Sequence, residues 1–467
     1  MTPVTCFSGK TVTVFGLGGS GLVTAEALRA GGAHVFAWDD KQAARDTAAQ
    51  AGFTIADPVA GGLDGQDALV LSPGVPLTHP APHPVVLAAR DAGVEIIGDI
   101  ELFFRQRALV APDAPCVAIT GTNGKSTTTA LIAHLLQEAG RDVAMGGNIG
   151  TAILALPPPD KARVHVIECS TFQIDLAPSL VPSIGILTNL TPDHLDRHGT
   201  MALYAAIKQR LVAVSGLAVI GVDDPYCLGI ADRLAAQGHP LVRVAMDHPV
   251  QDGIGRDGTR LVRVGPDGAT VLADLAGIPS LRGVHNAQNA AAAIAAVRAL
   301  GVDGDAIRRG LRSFPGLAHR MQPLGHIGRA LIVNDSKATN AEATEKALAS
   351  FAGGIHWIIG GVAKEGGIAG LQPFFNRIAH AYLIGKSTPV FAQQLGDAVP
   401  FSESGTLEQA FAAAVARANA SDHPEPVVLL SPACASYDQF PNFEVRGARF
   451  KDMAEAMTGF RHMEKDA

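Results

Sequence analysis

Along the chain, apolar residues fall into short runs, some interrupted by Thr, His or Gly, each followed by a cluster of glycine, serine, threonine or acid and then by apolar residues at helical spacing. Such runs occupy 11–15, 34–38, 68–71, 116–119, 164–167, 184–187, 219–222, 331–333, 355–359, 381–384 and 426–430. An unbroken apolar run is what a strand buried on both faces needs, as in a parallel sheet covered by helices. Helical spacing follows at 22–30, 129–136, 290–300, 341–351 and 407–419, and a short helix begins at 98–103. Between 242 and 275 the pattern changes to short alternating runs around Asp257-Gly258 and Asp267-Gly268, which predicts hairpins at a sheet edge. Strand alternating with helix predicts an α/β protein with doubly wound sheets. A chain of 467 residues exceeds what one hydrophobic core usually supports. Two or three domains are expected on length, and the segments divide as three, at 1–104, 105–316 and 317–467, with the turn-rich residues 111–115 leading into the second.

Composition narrows the class. Apolar residues make up 47% and charged residues 17%, a globular profile, and the net charge of -7 gives no electrostatic reason to expect nucleic acid. No run of about 18 apolar residues is present to insert in a membrane. No secretory signal is visible, and five scattered cysteines without a C-x-x-C pair suit a reducing cytoplasm.

The polar clusters carry the chemistry. After the run 116–119 comes Thr120-Gly121-Thr122-Asn123-Gly124-Lys125-Ser126-Thr127, then a helical stretch. Strand, glycine loop, Lys-Ser and helix form a phosphate cradle: backbone N–H groups receive the anion, Lys125 reaches the terminal phosphates and the Ser126 hydroxyl can sit on Mg²⁺. The usual glycine five residues before the Gly of Gly-Lys is replaced by Ile119, so the loop is a shorter form. A second glycine loop, Gly16-Leu17-Gly18-Gly19-Ser20-Gly21, lies between the first strand and its helix, and the second strand ends on Asp39-Asp40. That pattern serves a diphosphate and a ribose, so it fits a UDP-sugar as well as NAD. Ser72 and Gly74, after the strand 68–71, are further ligand candidates.

In the central segment, Glu168 ends a buried strand where a Mg²⁺ ligand is needed, or alternatively caps the next helix. His194, in the polar loop after 184–190, could ligate a metal or be structural. Lys208, on a helical stretch, reads plainly as a solvent-facing lysine. Asn286 and Asn289 share the first turn of a helix and could grip a base or ribose, with helix capping by Asn286 an equal alternative. In the last segment Lys337, Lys364 and Arg446 follow strand ends, where they would present positive charge to an anionic substrate.

Together these motifs resemble the Mur ligase family, ATP-dependent amino-acid ligases that build the peptidoglycan stem peptide. The resemblance spans nearly the whole chain and rests on the Gly121–Thr127 loop, Gly147-Asn148, Glu168, Asp193-His194-Leu195-Asp196, His285-Asn286, His319-Arg320 and Asn334-Asp335-Ser336. The Gly16–Gly21 loop with Ser72-Pro73-Gly74, the run 334–340, and the long run 430–440 with Phe443-Glu444-x-Arg446-Gly447 point to the branch that adds D-glutamate. The family's Asp-Asn-Pro-Arg motif for diaminopimelate or lysine is absent from the sequence. The resemblance implies a Rossmann-like UDP-binding domain, a central phosphate-loop ATPase domain and a Rossmann-like C-terminal domain. It assigns Gly121, Thr122, Asn123, Gly124, Lys125, Ser126, Thr127, Asn286, Asn289, Arg320 and Asp335 to ATP. Gly18, Gly19, Ser20, Asp39, Asp40, Ser72, Gly74 and Asn148 go to the UDP substrate, and Lys337, Thr339, Lys364, Ser436 and Phe443 to D-glutamate. Ser126, Glu168, His194 and Lys208 go to two Mg²⁺ ions, Lys208 as a carbamylated lysine, which replaces its plain reading. Lys125, His194, Lys208 and Asp335 form the catalytic set, with His194 and Asp335 both candidates for taking the amine proton. The implied substrates are UDP-N-acetylmuramoyl-L-alanine and D-glutamate, on a cytoplasmic monomer. One departure stands out: an acid common in the family's glycine turn before the Lys364 position is missing from Gly360-Gly361-Val362-Ala363-Lys364. An NAD-dependent oxidoreductase, a nucleotide sensor and another ligase of the family remain alternative readings.

Overall fold

A computed structural model describes residues 1–248, 250–265, 268–364 and 366–463. Among them the strands form a five-, a nine- and a seven-stranded sheet and a two-stranded ribbon. The chain makes two compact units, one of Met1–Asp274 with Gln288–Gly310, the other of Leu275–Ala287 with Leu311–Ala467.

In the first unit, the five-stranded sheet runs Thr54–Ile55, His34–Trp38, Thr11–Phe15, Ala68–Leu71, Glu95–Ile97, and every neighbouring pair is parallel. The order reverses at Thr11–Phe15, so the crevice beyond its C-terminal end is where a ligand belongs, and the Gly16 loop lies there. In the nine-stranded sheet Cys116–Thr120 lies between Ile184–Leu187 and Arg163–Glu168, and all five of its residues are buried. Burial on both faces accounts for the unbroken apolar run. The parallel strand Leu241–Val244 leads to Gly253–Asp257, and two antiparallel pairings then add Arg260–Gly265 and Gly268–Asp274 as the predicted hairpin edge. Asp257-Gly258 makes the first turn; Asp267 of the second predicted turn lies outside the described residues.

In the second unit, the parallel strands Phe401–Gly405, Ile378–Ile384, Ile355–Gly360, Val427–Leu430 and Ala330–Asn334 are followed by the antiparallel Gln322–Ile327 and Phe460–His462. Gln322–Ile327, Phe401–Gly405 and Phe460–His462 were not among the strand expectations; each carries polar or glycine residues that break the apolar run. The expected first boundary at 104/105 is corrected, because it falls inside the 12-residue helix Asp99–Val110. That helix buries Phe103 and Phe104 in a core shared with Cys116, Ile174 and Tyr204. The chain therefore passes from the first sheet to the second at the turn 111–115.

Candidate active site

The phosphate loop is built by strain and close approach. Gly121 has φ 143° and Gly124, the N-cap of the helix Lys125–Glu138, has φ 83°, conformations that favour glycine. A Cβ at Gly121 would overlap Thr188 Oγ1, and one at Gly124 would overlap Asn289 Oδ1. The end of the neighbouring strand braces the loop. Thr188 Oγ1 donates to Asn123 O; Asn189 Oδ1 accepts from Asn123 N at 2.9 Å while its Nδ2 donates to Asn123 O at 3.1 Å. Thr188 and Asn189 were missed in the sequence, where they read as a strand terminus. Lys125 Nζ donates to Gly121 O (2.9 Å) and Thr122 O (2.7 Å), and Ser126 is buried in the first helical turn.

Lys208 is not the solvent-facing residue of the plain reading. It is 2% exposed, and its Nζ donates to Thr120 Oγ1 at 3.1 Å and to the same Gly121 O at 2.8 Å, with Nζ 4.9 Å from the Tyr204 ring centroid. Burial holds its ammonium well below lysine's usual range, and the nearby Lys125 charge lowers it further. The shift favours the neutral, nucleophilic amine over the ammonium. Glu168 is equally buried. Its Oε1 accepts from Asn148 Nδ2 at 2.7 Å, whereas Oε2 has no hydrogen-bond partner. A buried carboxylate oxygen without a partner is costly unless something cationic meets it. Ser170, not Glu168, caps the following helix, with a capping box to Gln173, so the capping alternative for Glu168 is removed. Asn148, expected at the UDP substrate, is bonded to Glu168 through both its backbone N–H and its side chain.

His194 sits in the left-handed region (φ 51°), its side chain half exposed, with Nε2 3.5 Å from Asp193 Oδ2 and its ring 5.2 Å from Phe172. Phe172 stacks on the buried His198, whose Nε2 pairs with Thr171 Oγ1 at 2.8 Å; burial pushes His198 down to about 4 and keeps it neutral. Among the described residues no three His, Cys, Asp or Glu side chains converge on a metal position. A magnesium ion asks for few protein ligands and takes the rest from phosphate and water, so Ser126, Glu168 Oε2 and His194 fit that chemistry. Asn289 is buried and accepts from Thr128 Oγ1 at 3.2 Å.

At the first sheet, Gly16 (φ 92°) and Gly21 are glycine because a Cβ would strike Ser72 and Gly16 O. Gly18, Gly19 and Gly74 instead face open space, which lets a ligand approach the backbone. Asp39 braces the loop by accepting from Leu17 N (2.7 Å) and Lys41 N (2.8 Å), and Asp40 pairs with His83 Nε2 at 3.1 Å. Ser72 extends the sheet ladder through its N–H to Phe15 O.

The second unit gathers another set. Asp335 is buried; Oδ2 accepts from Ser431 Oγ at 2.8 Å and Oδ1 from Met321 N at 3.0 Å, and burial raises its carboxyl to about 7. Arg320, whose charge opposes that rise, is exposed. Lys337 Nζ lies 3.8 Å from the Phe443 ring centroid. Thr339 is half-buried, Ser436 buried and Lys364 exposed, while Glu365 lies outside the described residues. Arg446 corrects its expectation: at 1% exposed it is a brace, giving Nε to Ser336 Oγ and Nη2 to Ser336 O and Cys434 O. Asn286 is likewise no cap, since the helix begins at Val284; its Nδ2 donates to Arg282 O at 2.9 Å.

A nucleotide-phosphate loop in a parallel sheet, flanked by a buried carboxylate and lysine, defines a phosphoryl-handling α/β enzyme. Residues 119–297 match the model of the Mur ligase middle domain and residues 319–434 that of the Mur ligase, glutamate ligase domain. The chain belongs to the Mur ligase family. It is 59% identical over 462 residues to the UDP-N-acetylmuramoylalanine–D-glutamate ligase of Nitrobacter winogradskyi, covering 98% of this chain and 99% of that protein. Its identity to the protein of that name in Rhizobium meliloti is 58% over 459 residues, 98% and 99% of the two chains. Among solved structures it resembles UDP-N-acetylmuramate-alanine ligase of Thermotoga maritima, with a TM-score of 0.55 at 17% identity over 96% of this chain and 99% of that one. The pseudomurein peptide ligase type C of Methanothermus fervidus aligns with a TM-score of 0.54 at 17% identity, over 95% and 99%. At that identity the likeness concerns the fold.

Proposed function

We propose that the chain is an ATP-dependent ligase joining the amine of D-glutamate to the alanyl carboxylate of UDP-N-acetylmuramoyl-L-alanine, releasing ADP and phosphate. The observation that carries the reaction class is the phosphate loop beside the unpartnered Glu168 Oε2 and the buried Lys208. The choice of amino acid is supported by full-length relatives of about 58% identity bearing that activity in their names.

A carboxylate is a poor acyl donor, so the γ-phosphate of ATP is first transferred to it, giving an acyl phosphate. The amine then attacks the acyl carbon, a tetrahedral intermediate forms, and phosphate leaves. The loop N–H groups and Lys125 hold the phosphates in line and offset the charge on the transferring group. Divalent ions, when bound, add charge neutralisation; Ser126, Glu168 and His194 are their ligands in this reading. Lys208 supplies another after its neutral Nζ attacks CO₂: an N–C bond forms, the π pair moves to oxygen and a proton goes to solvent, which turns a cation into a carboxylate-like ligand. Asn286, Asn289, Arg320 and Asp335 serve ATP. Gly18, Gly19, Ser20, Asp39, Asp40, Ser72, Gly74 and Asn148 serve the UDP substrate. Lys337, Thr339, Lys364, Ser436 and Phe443 receive D-glutamate. The protein works as a cytoplasmic monomer with three domains, their first junction at 111–115.

The test is phosphate release with UDP-N-acetylmuramoyl-L-alanine, ATP and a panel of D- and L-amino acids, with Lys125→Ala as the inactive control. Release with D-glutamate alone supports the reading. Release with L-alanine or L-glutamate but not D-glutamate overturns it.

A further inference from the structure

The turn that departs from the family pattern has its own anchor. Strand Ile355–Gly360 ends in two glycines with φ 134° and 133°, where a Cβ would overlap Ile384 O and Ala435 O respectively. The next two residues, Val362–Ala363, pair antiparallel with Cys434–Ala435, Val362 opposite Ala435 and Ala363 opposite Cys434. Lys364 follows one strand of this ribbon and Ser436 follows the other. The ribbon therefore pairs the residues that immediately precede Lys364 with those that immediately precede Ser436.

Ser387 holds it. Ser387 is 5% exposed and precedes the helix Thr388–Leu395. Its Oγ–H donates to Gly361 O at 2.7 Å, and its Oγ accepts from Ala363 N at 2.9 Å and from Cys434 Sγ at 3.6 Å. Its backbone N–H donates to the same Gly361 O at 3.0 Å. One hydroxyl thus uses its donor and both lone pairs on the turn and the ribbon partner. The far side of the turn is tied by Gln394, whose Oε1 accepts from Ile368 N at 2.9 Å and whose Nε2 donates to Gly366 O at 3.1 Å. Lys364 lies between these two ties.

We infer that Ser387 is a positioning residue for the amino-acid substrate: through the Gly361–Ala363 turn it sets where Lys364 stands relative to Ser436. The inference rests on the D-glutamate reading above and deepens it.

The experiment varies ATP, UDP-N-acetylmuramoyl-L-alanine and D-glutamate separately in phosphate release by the parent, Ser387→Ala, Ser387→Thr and Ser387→Cys. Removing the hydroxyl leaves Ala363 N–H without its acceptor, and the KM for D-glutamate is expected to rise about tenfold, with the other two KM values within about twofold. Ser387→Thr keeps the hydroxyl and restores D-glutamate binding. Ser387→Cys keeps the size and weakens both bonds, so it carries the same comparison if Ser387→Ala does not fold. An unchanged KM for D-glutamate in a folded Ala or Cys variant overturns the inference, as does an equal rise for all three substrates. A parent protein that gives no release with D-glutamate overturns the underlying reading instead.

Discussion

Gly124→Ala tests whether the phosphate loop is strained into place by its neighbours. At φ 83° an added Cβ sits in the left-handed region, which costs an L-residue roughly 1–2 kcal/mol. The same Cβ would lie 3.2 Å from Asn289 Cγ and closer still to Oδ1. Asn289 is buried and its Oδ1 takes the Thr128 hydroxyl, so moving it aside forfeits a hydrogen bond of about 0.5–1.5 kcal/mol. The expected destabilisation is about 1.5–3.5 kcal/mol, combining the strain with the lost bond. Urea unfolding of Gly124→Ala, Asn289→Ala and the double variant, read from the first transition, measures it. Asn289→Ala removes the obstructing oxygen, so the double variant should be less destabilised than the sum of the singles by about 1 kcal/mol or more. Only the left-handed strain then remains at position 124. Costs that add within about 0.5 kcal/mol, or a Gly124→Ala midpoint equal to the parent's, would refute the reasoning.

Glu168→Gln should leave the unfolding midpoint unchanged or higher, because Oε2 has no partner to lose, while raising the Mg²⁺ concentration needed for half-maximal phosphate release by at least about tenfold; a lower midpoint with unchanged Mg²⁺ dependence would make Glu168 structural. Asp335 is raised from 3.8 to about 7 by burial, so the folded state keeps a proton that the unfolded chain has lost. Its stabilising contribution is present below pH 3.8 and lost as pH rises towards about 7. Asp335→Asn should therefore gain stability over the parent between pH 5 and pH 8 in urea melts; an equal difference at both pH values counts against a buried protonated acid. Lys208→Arg cannot form a carbamate, so a ¹³C carbamate signal that appears in the parent on adding labelled bicarbonate should be missing from the variant. A signal that persists in the variant places the carbamate elsewhere.

Much of the architecture was legible because parallel strands buried on both faces leave continuous apolar runs. Cys116–Thr120 and Val427–Leu430 are of this kind, wholly buried and found at once. Strands with a mixed pattern were not found: Phe401–Gly405 carries Ser402, Glu403 and Ser404 on the edge strand of its sheet, where burial is only partial. Motif residues were legible where a local turn or loop demands a residue type, as at Gly121, Gly124 and Ser126. Residues that act across the sheet left no local trace. Asn189 braces Asn123 from 66 positions away and Ser387 holds Ala363 from 24.

Lysine and arginine show why position on a helix does not decide exposure. Lys208 stands on the helix Met201–Ala213 beside the polar Gln209 and Arg210, and those two neighbours suggest a solvated face. It is buried because the strand Cys116–Thr120 ends directly against that helix and offers Thr120 Oγ1 and Gly121 O as acceptors. Arg446 follows the same logic in the helix Phe443–Ala456, drawn inward by Ser336 O and Cys434 O. In both cases carbonyls at a strand end or loop draw a long basic side chain inward. That is also the place where a doubly wound sheet binds its ligands. The two side chains therefore differ in use rather than in origin. Lys208 shares its acceptor with Lys125 on the phosphate loop and so is tied to the chemistry, whereas Arg446 fastens Ser336 to Cys434 and thereby the Asp335 loop to the ribbon that Ser387 holds.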